Sequence, residues 1–203
     1  DTFMEYTTKA YASVKSPLEL SFIPIHPGDI LSYGGYHFEV KLLKGHTFGQ
    51  CGLYEPEKKL MFVGDQLMTT IVPIVGTQET DLGMLKCYLN SLGDLKHNYK
   101  DCYFLPCHYG EIKNVEKEVN RIILGYLEKC EIMKHVLEEA GTALTTRDIG
   151  VRTYGRSQGP PDYAHFASCT QIWAKTFSCM EYMMGEGFVE RSERDGIIYW
   201  KAI

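Results

Sequence analysis

Cysteine pairs, long apolar runs and an excess of positive charge are all missing from this sequence of 203 residues. Its seven cysteines are scattered, odd in number and without a CxxC pair, which argues against a disulfide framework and predicts reduced thiols in the cytoplasm. No apolar run approaches the roughly 18 residues of a membrane span, and no basic-then-apolar leader opens the chain. The formal net charge of −5 gives no electrostatic reason to expect a nucleic-acid partner.

Strand signals dominate the first half of the chain. Segment 30–43 (ILSYGGYHFEVKLL) contains two strand-like runs joined by Gly34-Gly35, a two-residue hairpin signal. The runs CGLYEP and LMFVGD predict another pair of strands, and CYFLPCH predicts a short buried strand further on. Between them, DLGMLKCYLNSL has apolar residues on one face and predicts an amphipathic helix over 81–92, with Asp81 near its N-terminus.

Helical signals dominate the second half. Apolar residues recur at helical spacing from 114 to 140, and Gly141 ends the pattern. A short helix over 145–154, a Gly/Pro-rich loop, a helix from about 167 to 185 and a final hairpin turning at Asp195-Gly196 follow. Helix, helix and terminal hairpin is the outline of a winged helix, so we place a domain boundary near Gly141. A weaker helical spacing covers 2–14.

Three side chains that could bind a metal follow three of the predicted strands. His46 lies in the Gly-flanked turn KGHTFGQ, Asp65 ends the strand LMFVGD, and His108 ends the strand CYFLPCH. Each residue alone is more often structural than functional, because a turn histidine or a Gly-Asp turn is common. Together, two imidazoles and a carboxylate at converging strand ends suit zinc, with iron or manganese as alternatives.

These segments resemble those of the metallo-β-lactamase superfamily of binuclear metal hydrolases. GHTFGQ is similar to its GHTPGH segment, LMFVGDQL to the strand that carries the bridging aspartate, and LPCHYG to its PGHG turn. The C-terminal unit resembles the winged helix of one hydrolase branch, which includes lactamase-like endoribonucleases. The resemblance implies an α+β fold in which 1–140 form the C-terminal half of an αββα sandwich and 141–203 form a winged-helix domain.

The resemblance also implies a reaction and a role for each residue. His46 would be a terminal ligand of the first of two divalent metal ions, Asp65 would bridge both ions and act in catalysis, and His108 would be a terminal ligand of the second. A metal-bound hydroxide would then attack an ester, thioester, amide or phosphodiester centre. The substrate would be a small molecule. Its identity depends on loops whose structure the motifs do not specify.

The chain also departs from this family pattern. The HxHxDH segment that supplies further ligands is absent, and the other histidines do not have its spacing. Gln50 replaces a histidine that is not normally a metal ligand. Cys107 stands where glycine is usual. Its thiol is a conceivable metal ligand, but we favour the interpretation that it is a small residue without a role in the site. The missing ligands predict that this chain alone is inactive.

The missing segment also predicts that the chain requires a partner. One sheet of a two-sheet sandwich cannot bury its apolar face alone. Because the chain also begins with Asp1 rather than Met, we expect an N-terminal half that was removed or is a separate chain, or else a homo-oligomer.

The charge of the C-terminal unit indicates whether it is suited to bind nucleic acid. Residues 141–203 carry seven cations and seven anions, and the candidate recognition helix TQIWAKTFSCMEYMMGE has a single lysine. A duplex-binding helix normally concentrates positive charge, so its apolar surface better suits core packing, dimerisation or a substrate entrance. Two hypotheses remain: a metal-dependent hydrolase, or a non-catalytic binding or dimerisation module built on the winged helix, with nucleic acid as a less favoured partner of that module.

Overall fold

The computed structural model describes residues 21–75, 83–155 and 163–203. Within these ranges the chain forms an α+β structure with two sheets and four helices. The strands are β1 (Ile30–Tyr33), β2 (Tyr36–Leu42), β3 (Cys51–Glu55), β4 (Leu60–Gly64), β5 (Tyr103–Pro106), β6 (Leu144–Thr145), β7 (Val189–Arg194) and β8 (Ile197–Ala202). The helices are α1 (Met84–Asn98), α2 (Val115–Ala140), α3 (Thr146–Tyr154) and α4 (Tyr163–Gly185). The predicted helix over 2–14 lies outside the described residues, as do Asp81 and positions 156–162 of the Gly/Pro-rich loop.

The first sheet contains five strands in the order β1-β2-β3-β4-β5. Its first four strands are antiparallel neighbours, and β1 and β2 form the hairpin predicted from Gly34-Gly35. Both glycines have positive φ, at 58° and 83°, as a type I′ turn requires. The sequence-based prediction of these strands is therefore confirmed.

Strands β4 and β5 are parallel and are connected through α1. Parallel neighbours need such a crossover, and their carboxyl ends meet at the same edge of the sheet. Helix α1 continues to Asn98, six residues beyond the predicted end at Leu92. Gly93 is tolerated within it because Leu92 and Leu95 are both fully buried, so packing outweighs the weak helix propensity of glycine.

Helix α2 is the longest element, with 26 residues. Asn114 caps its N-terminus by accepting a hydrogen bond from the Lys117 N–H at 2.9 Å, and Gly141 ends it with φ 60°. Its buried residues recur at the predicted spacing, from Val119 through Tyr126 to Leu137. The prediction of this helix is confirmed within one residue.

The C-terminal elements are two helices and a three-stranded sheet in the order β6-β8-β7. The final hairpin turns at Asp195 and Gly196, both with positive φ, as predicted. Two features differ from the predictions. Helix α4 begins at Tyr163 rather than near 167, and the two-residue strand β6, which pairs with β8, had no sequence signal because it is too short to show a periodicity.

One hydrophobic core runs through both predicted units. It extends from Met61 and Phe104 in the first sheet, through α1 and α2, to Met180 in α4 and Trp200 in β8. The apolar residues of the candidate recognition helix therefore serve mainly in core packing, since Met180 and Met183 are at most 2% exposed. All seven cysteines lie in the described part of the chain and are free thiols there. No helix among the described residues is long and apolar enough to span a bilayer.

Candidate metal centre

The three predicted ligands lie together at one edge of the five-stranded sheet. Asp65 directly follows β4, and His108 is the second residue after the parallel strand β5. His46 lies in the connection between β2 and β3. The positions that the sequence predicts for these side chains, each just beyond a strand, are those seen in the structure.

Each imidazole faces a different oxygen of the same carboxylate. His46 Nε2 lies 3.6 Å from Asp65 Oδ2, and His108 Nε2 lies 3.5 Å from Asp65 Oδ1. The side chains of Asp65 and His46 are about a third exposed or less, whereas that of His108 is 61% exposed. The carboxylate thus lies between two imidazoles at one solvent-accessible edge.

A backbone carbonyl fixes the orientation of His46. Its Nδ1 lies 2.7 Å from the carbonyl oxygen of Ile74, which can only accept a hydrogen bond, so Nδ1 carries a proton. In the neutral ring this leaves the lone pair on Nε2, the atom that faces Asp65. Such a carbonyl partner is the usual device that orients a metal-binding histidine.

Gly45 permits the close approach of this turn to α1. Its φ is 154°, and a Cβ at this position would lie 2.6 Å from the Tyr88 Cα atom. Neither the conformation nor the space admits a side chain without displacing the backbone of α1. The glycine before His46 is therefore explained by packing.

Asp65 Oδ1 is buried and has no hydrogen-bond partner among the described residues. A buried carboxylate oxygen without a donor is costly unless a cation or a proton compensates its charge. Carboxylate oxygen with neutral imidazole is also a donor set that zinc, iron and manganese accept. The residues present therefore fit a divalent metal ion.

The segment between Asp65 and Val75 is attached to α2 and α4. Arg121 donates from Nη2 to the carbonyl oxygens of Met68 (2.7 Å) and Ile71 (3.2 Å), and Lys175 Nζ donates to that of Val72 (3.2 Å). These anchors were not found by sequence reasoning, because they join positions 50 to 103 residues apart and follow no motif.

Two buried tyrosines hold the two ends of the same segment. Tyr88 Oη donates to the carbonyl oxygen of Gln66 at 2.9 Å, directly after Asp65. Tyr126 Oη donates to the carbonyl oxygen of Pro73 at 2.6 Å and accepts from the Val75 N–H at 3.1 Å. Burial raises the pKa of both phenols well above the usual value, so both stay protonated and able to donate.

Within the described residues, no group of three or more His, Cys, Asp or Glu side chains is arranged to hold a single ion. The two imidazoles lie instead beside separate oxygens of one carboxylate. Cys107 is exposed beside His108 and donates its backbone N–H to the Gly64 carbonyl oxygen at 3.2 Å. Four other histidines, namely His26, His37, His97 and His135, are exposed.

Comparison with solved structures assigns the fold. The chain superposes over 99% of its length on a metallo-beta-lactamase family protein from Thermus thermophilus, with a TM-score of 0.74 and 20% identity. It superposes over its whole length on a beta-lactamase domain protein from Burkholderia ambifaria, with a TM-score of 0.79 and 18% identity. The class that these neighbours define is the metallo-β-lactamase fold, a mixed α+β fold, which confirms this much of the fold that the motifs implied. The division into half a sandwich and a winged helix stays a prediction.

Sequence comparison adds one named relative. A stretch of 40 residues is 50% identical to hydroxyacylglutathione hydrolase GloC of Haemophilus influenzae, covering 20% of this chain and 19% of that protein. No protein-family model matches the sequence. The chain spans only 65% and 59% of the lengths of the two solved structures.

Proposed function

We propose that this chain is part of a metal-dependent hydrolase and carries three of its metal ligands. The observation that carries the proposal is the contact of His46 and His108 with separate oxygens of Asp65. This geometry supports the bridging role for Asp65 and a terminal role for each imidazole. Zinc is the first metal to test, with iron and manganese as alternatives.

The chemistry would be hydrolysis of a small-molecule ester, thioester or phosphodiester. Divalent ions, when bound, activate water and stabilise the negative charge that develops at the attacked centre. In this chain, the Ile74 carbonyl keeps the proton of His46 on Nδ1, and His46, Asp65 and His108 would hold the ions. The local identity to a hydroxyacylglutathione hydrolase favours an acyl thioester as the first substrate to test.

We further propose that the isolated chain is inactive and requires more polypeptide. Three ligands are too few for two ions, because zinc alone takes four in most sites. The open face of the five-stranded sheet supports this proposal, since Phe62, Tyr103 and Leu42 are between 40% and 48% exposed there. The greater length of both matched structures favours additional polypeptide as the covering layer, rather than a second copy of the chain, and we propose that it is the N-terminal half.

We assign the C-terminal unit, from residue 141 onward, to a winged-helix domain. Helices α3 and α4 followed by the β7–β8 hairpin, with β6 beside β8, support this assignment. An open groove of about 910 Å³ lies between these elements, and Trp173, Phe177 and Ile197 are among its lining residues. Such an apolar lining, in a unit of balanced charge, does not favour nucleic acid as its occupant.

Metal analysis of the longest gene product that contains this chain tests the function. We expect about two metal ions per wild-type molecule, and loss of at least one ion together with thioesterase activity in the His46→Ala and Asp65→Ala variants. His135→Ala is the matched control, because His135 is exposed on α2 and contacts only Glu138 and Glu139 among the ion pairs of the described chain. An unchanged metal content in the Asp65→Ala variant would overturn the assignment.

A further inference from the structure

We propose that Tyr126 is a positioning residue for the His46–Asp65 site, acting through the backbone of residues 73–75. The proposal rests on the metal-dependent function proposed above. Tyr126 lies in the middle of α2, and neither of its two hydrogen bonds is to His46 or Asp65, so its effect on the site at the sheet edge would be indirect.

The argument starts from the hydrogen bonds of one phenol. Tyr126 Oη donates to the carbonyl oxygen of Pro73 at 2.6 Å and accepts from the Val75 N–H at 3.1 Å. The residue between these two partners is Ile74, whose carbonyl oxygen accepts the His46 Nδ1–H at 2.7 Å. The phenol therefore holds the chain on both sides of the one carbonyl that orients His46.

The surroundings of Tyr126 leave it little freedom. The side chain is 3% exposed, and its ring meets that of Tyr88 edge-on, with centroids 5.9 Å apart. Tyr88 in turn donates to the Gln66 carbonyl oxygen and packs its backbone against Gly45. Tyr88 and Tyr126 therefore form one buried cluster that contacts the segments next to His46 and Asp65.

Replacing tyrosine with phenylalanine at position 126 isolates the hydroxyl. The ring and its contact with Tyr88 remain, but the Val75 N–H and the Pro73 carbonyl oxygen lose their common partner. The Ile74 peptide can then rotate, and His46 Nε2 is no longer held toward Asp65 Oδ2. Loss of an outer hydrogen bond of this kind typically lowers metal affinity about 10- to 100-fold.

The experiment compares Tyr126→Phe with Tyr54→Phe. Tyr54 is a matched control because it lies on β3 and its ring meets Tyr99 edge-on, as the ring of Tyr126 meets Tyr88. The first readout is amide hydrogen exchange at Val75 in the metal-free chain, where we expect roughly tenfold or faster exchange in Tyr126→Phe alone. The second is Zn²⁺ affinity by chelator competition in the longest gene product, where we expect a decrease of about 10- to 100-fold.

The two readouts separate failure of the inference from failure of the function. If the wild-type protein binds no Zn²⁺, the proposed function is wrong and this inference falls with it. If the wild-type protein binds Zn²⁺ and Tyr126→Phe binds it equally tightly, only the positioning role is wrong.

A second variant covers the case in which Tyr126→Phe does not fold. Arg121→Met removes the hydrogen bonds to the Met68 and Ile71 carbonyl oxygens, which belong to the same segment. Unlike Tyr126→Phe, it does not leave an empty space where a buried hydroxyl group had been. Faster exchange across 66–75 with weaker Zn²⁺ binding would support the inference. Faster exchange with unchanged Zn²⁺ binding would overturn it, because the segment would then have no part in placing the ligands.

Discussion

The two faces of the five-stranded sheet differ in what covers them. On one face, Met61, Val63 and Phe104 are at most 1% exposed and belong to the core formed with α1 and α2. On the other face, Phe62 is 40% exposed, whereas its partners on the adjacent strands, Leu53 and Leu105, are half-buried. A sheet built for one covered face alternates apolar with polar residues, so a sheet that is apolar on both faces is built for a second layer.

A matched pair of truncations measures this difference most directly. Phe104 and Phe62 lie on neighbouring strands and on opposite faces, with 1% and 40% exposure. We expect Phe104→Ala to lower the free energy of unfolding by about 3–5 kcal/mol, because it leaves a cavity in the core. Chemical denaturation of this chain should show a cost for Phe62→Ala of less than half of that value. Equal costs would mean that the second face is already covered.

Alkaline pH tests the helix-covered side of the sheet through two buried tyrosines. On the helix side, burial raises the pKa of Tyr88 and of Tyr126, so the unfolded state loses these protons first as pH rises. Their contribution to stability is complete below pH about 10 and falls above it, by about 1.4 kcal/mol per pH unit for each phenol.

Tyrosinate absorbance and circular dichroism, followed together during the titration, check this expectation. The increase in absorbance from the two buried phenols should coincide with unfolding. In Tyr126→Phe, this increase should correspond to the ionisation of one phenol instead of two. Ionisation of both phenols before any loss of structure would contradict the buried hydrogen bonds described for them.

Self-association of the isolated chain gives the smallest expected effect. If the exposed face of the sheet binds a second copy of the chain, sedimentation should show concentration-dependent association. Phe62→Glu should weaken this association by at least about tenfold, which corresponds to about 1.4 kcal/mol. Leu124→Glu is the control, because Leu124 is 57% exposed on α2, away from the sheet. A monomer at every concentration would exclude the homo-oligomer.

Local signals in the sequence were sufficient for most of the fold. Gly34-Gly35 and Asp195-Gly196 defined two hairpins because both turn residues need positive φ. Gly141 ended α2 for the same reason. By contrast, the start of α4 and the strand β6 depend on tertiary packing, which leaves no periodic pattern to read.

The candidate site was predictable in its residues but not in its supports. His46, Asp65 and His108 could be found because each follows a strand, and parallel strands bring their ends to one edge. The Ile74 carbonyl and the Tyr126 hydroxyl could not be found, because their partners lie 28 and about 50 residues away in sequence. Whether the three residues bind metal stays a prediction.

The parallel pairing of β4 and β5 also has a consequence for the order of folding. Asp65 and His108 follow these two strands, with all of α1 between them, so they can meet only after the crossover has closed. Closing so long a connection costs chain entropy before any contact repays it, whereas the β1–β2 hairpin needs only its two-residue turn. We therefore expect the hairpin to form early and the His–Asp cluster to form among the last parts of the sheet. The meeting of His108 with Asp65 would then report completion of the sheet in a refolding experiment.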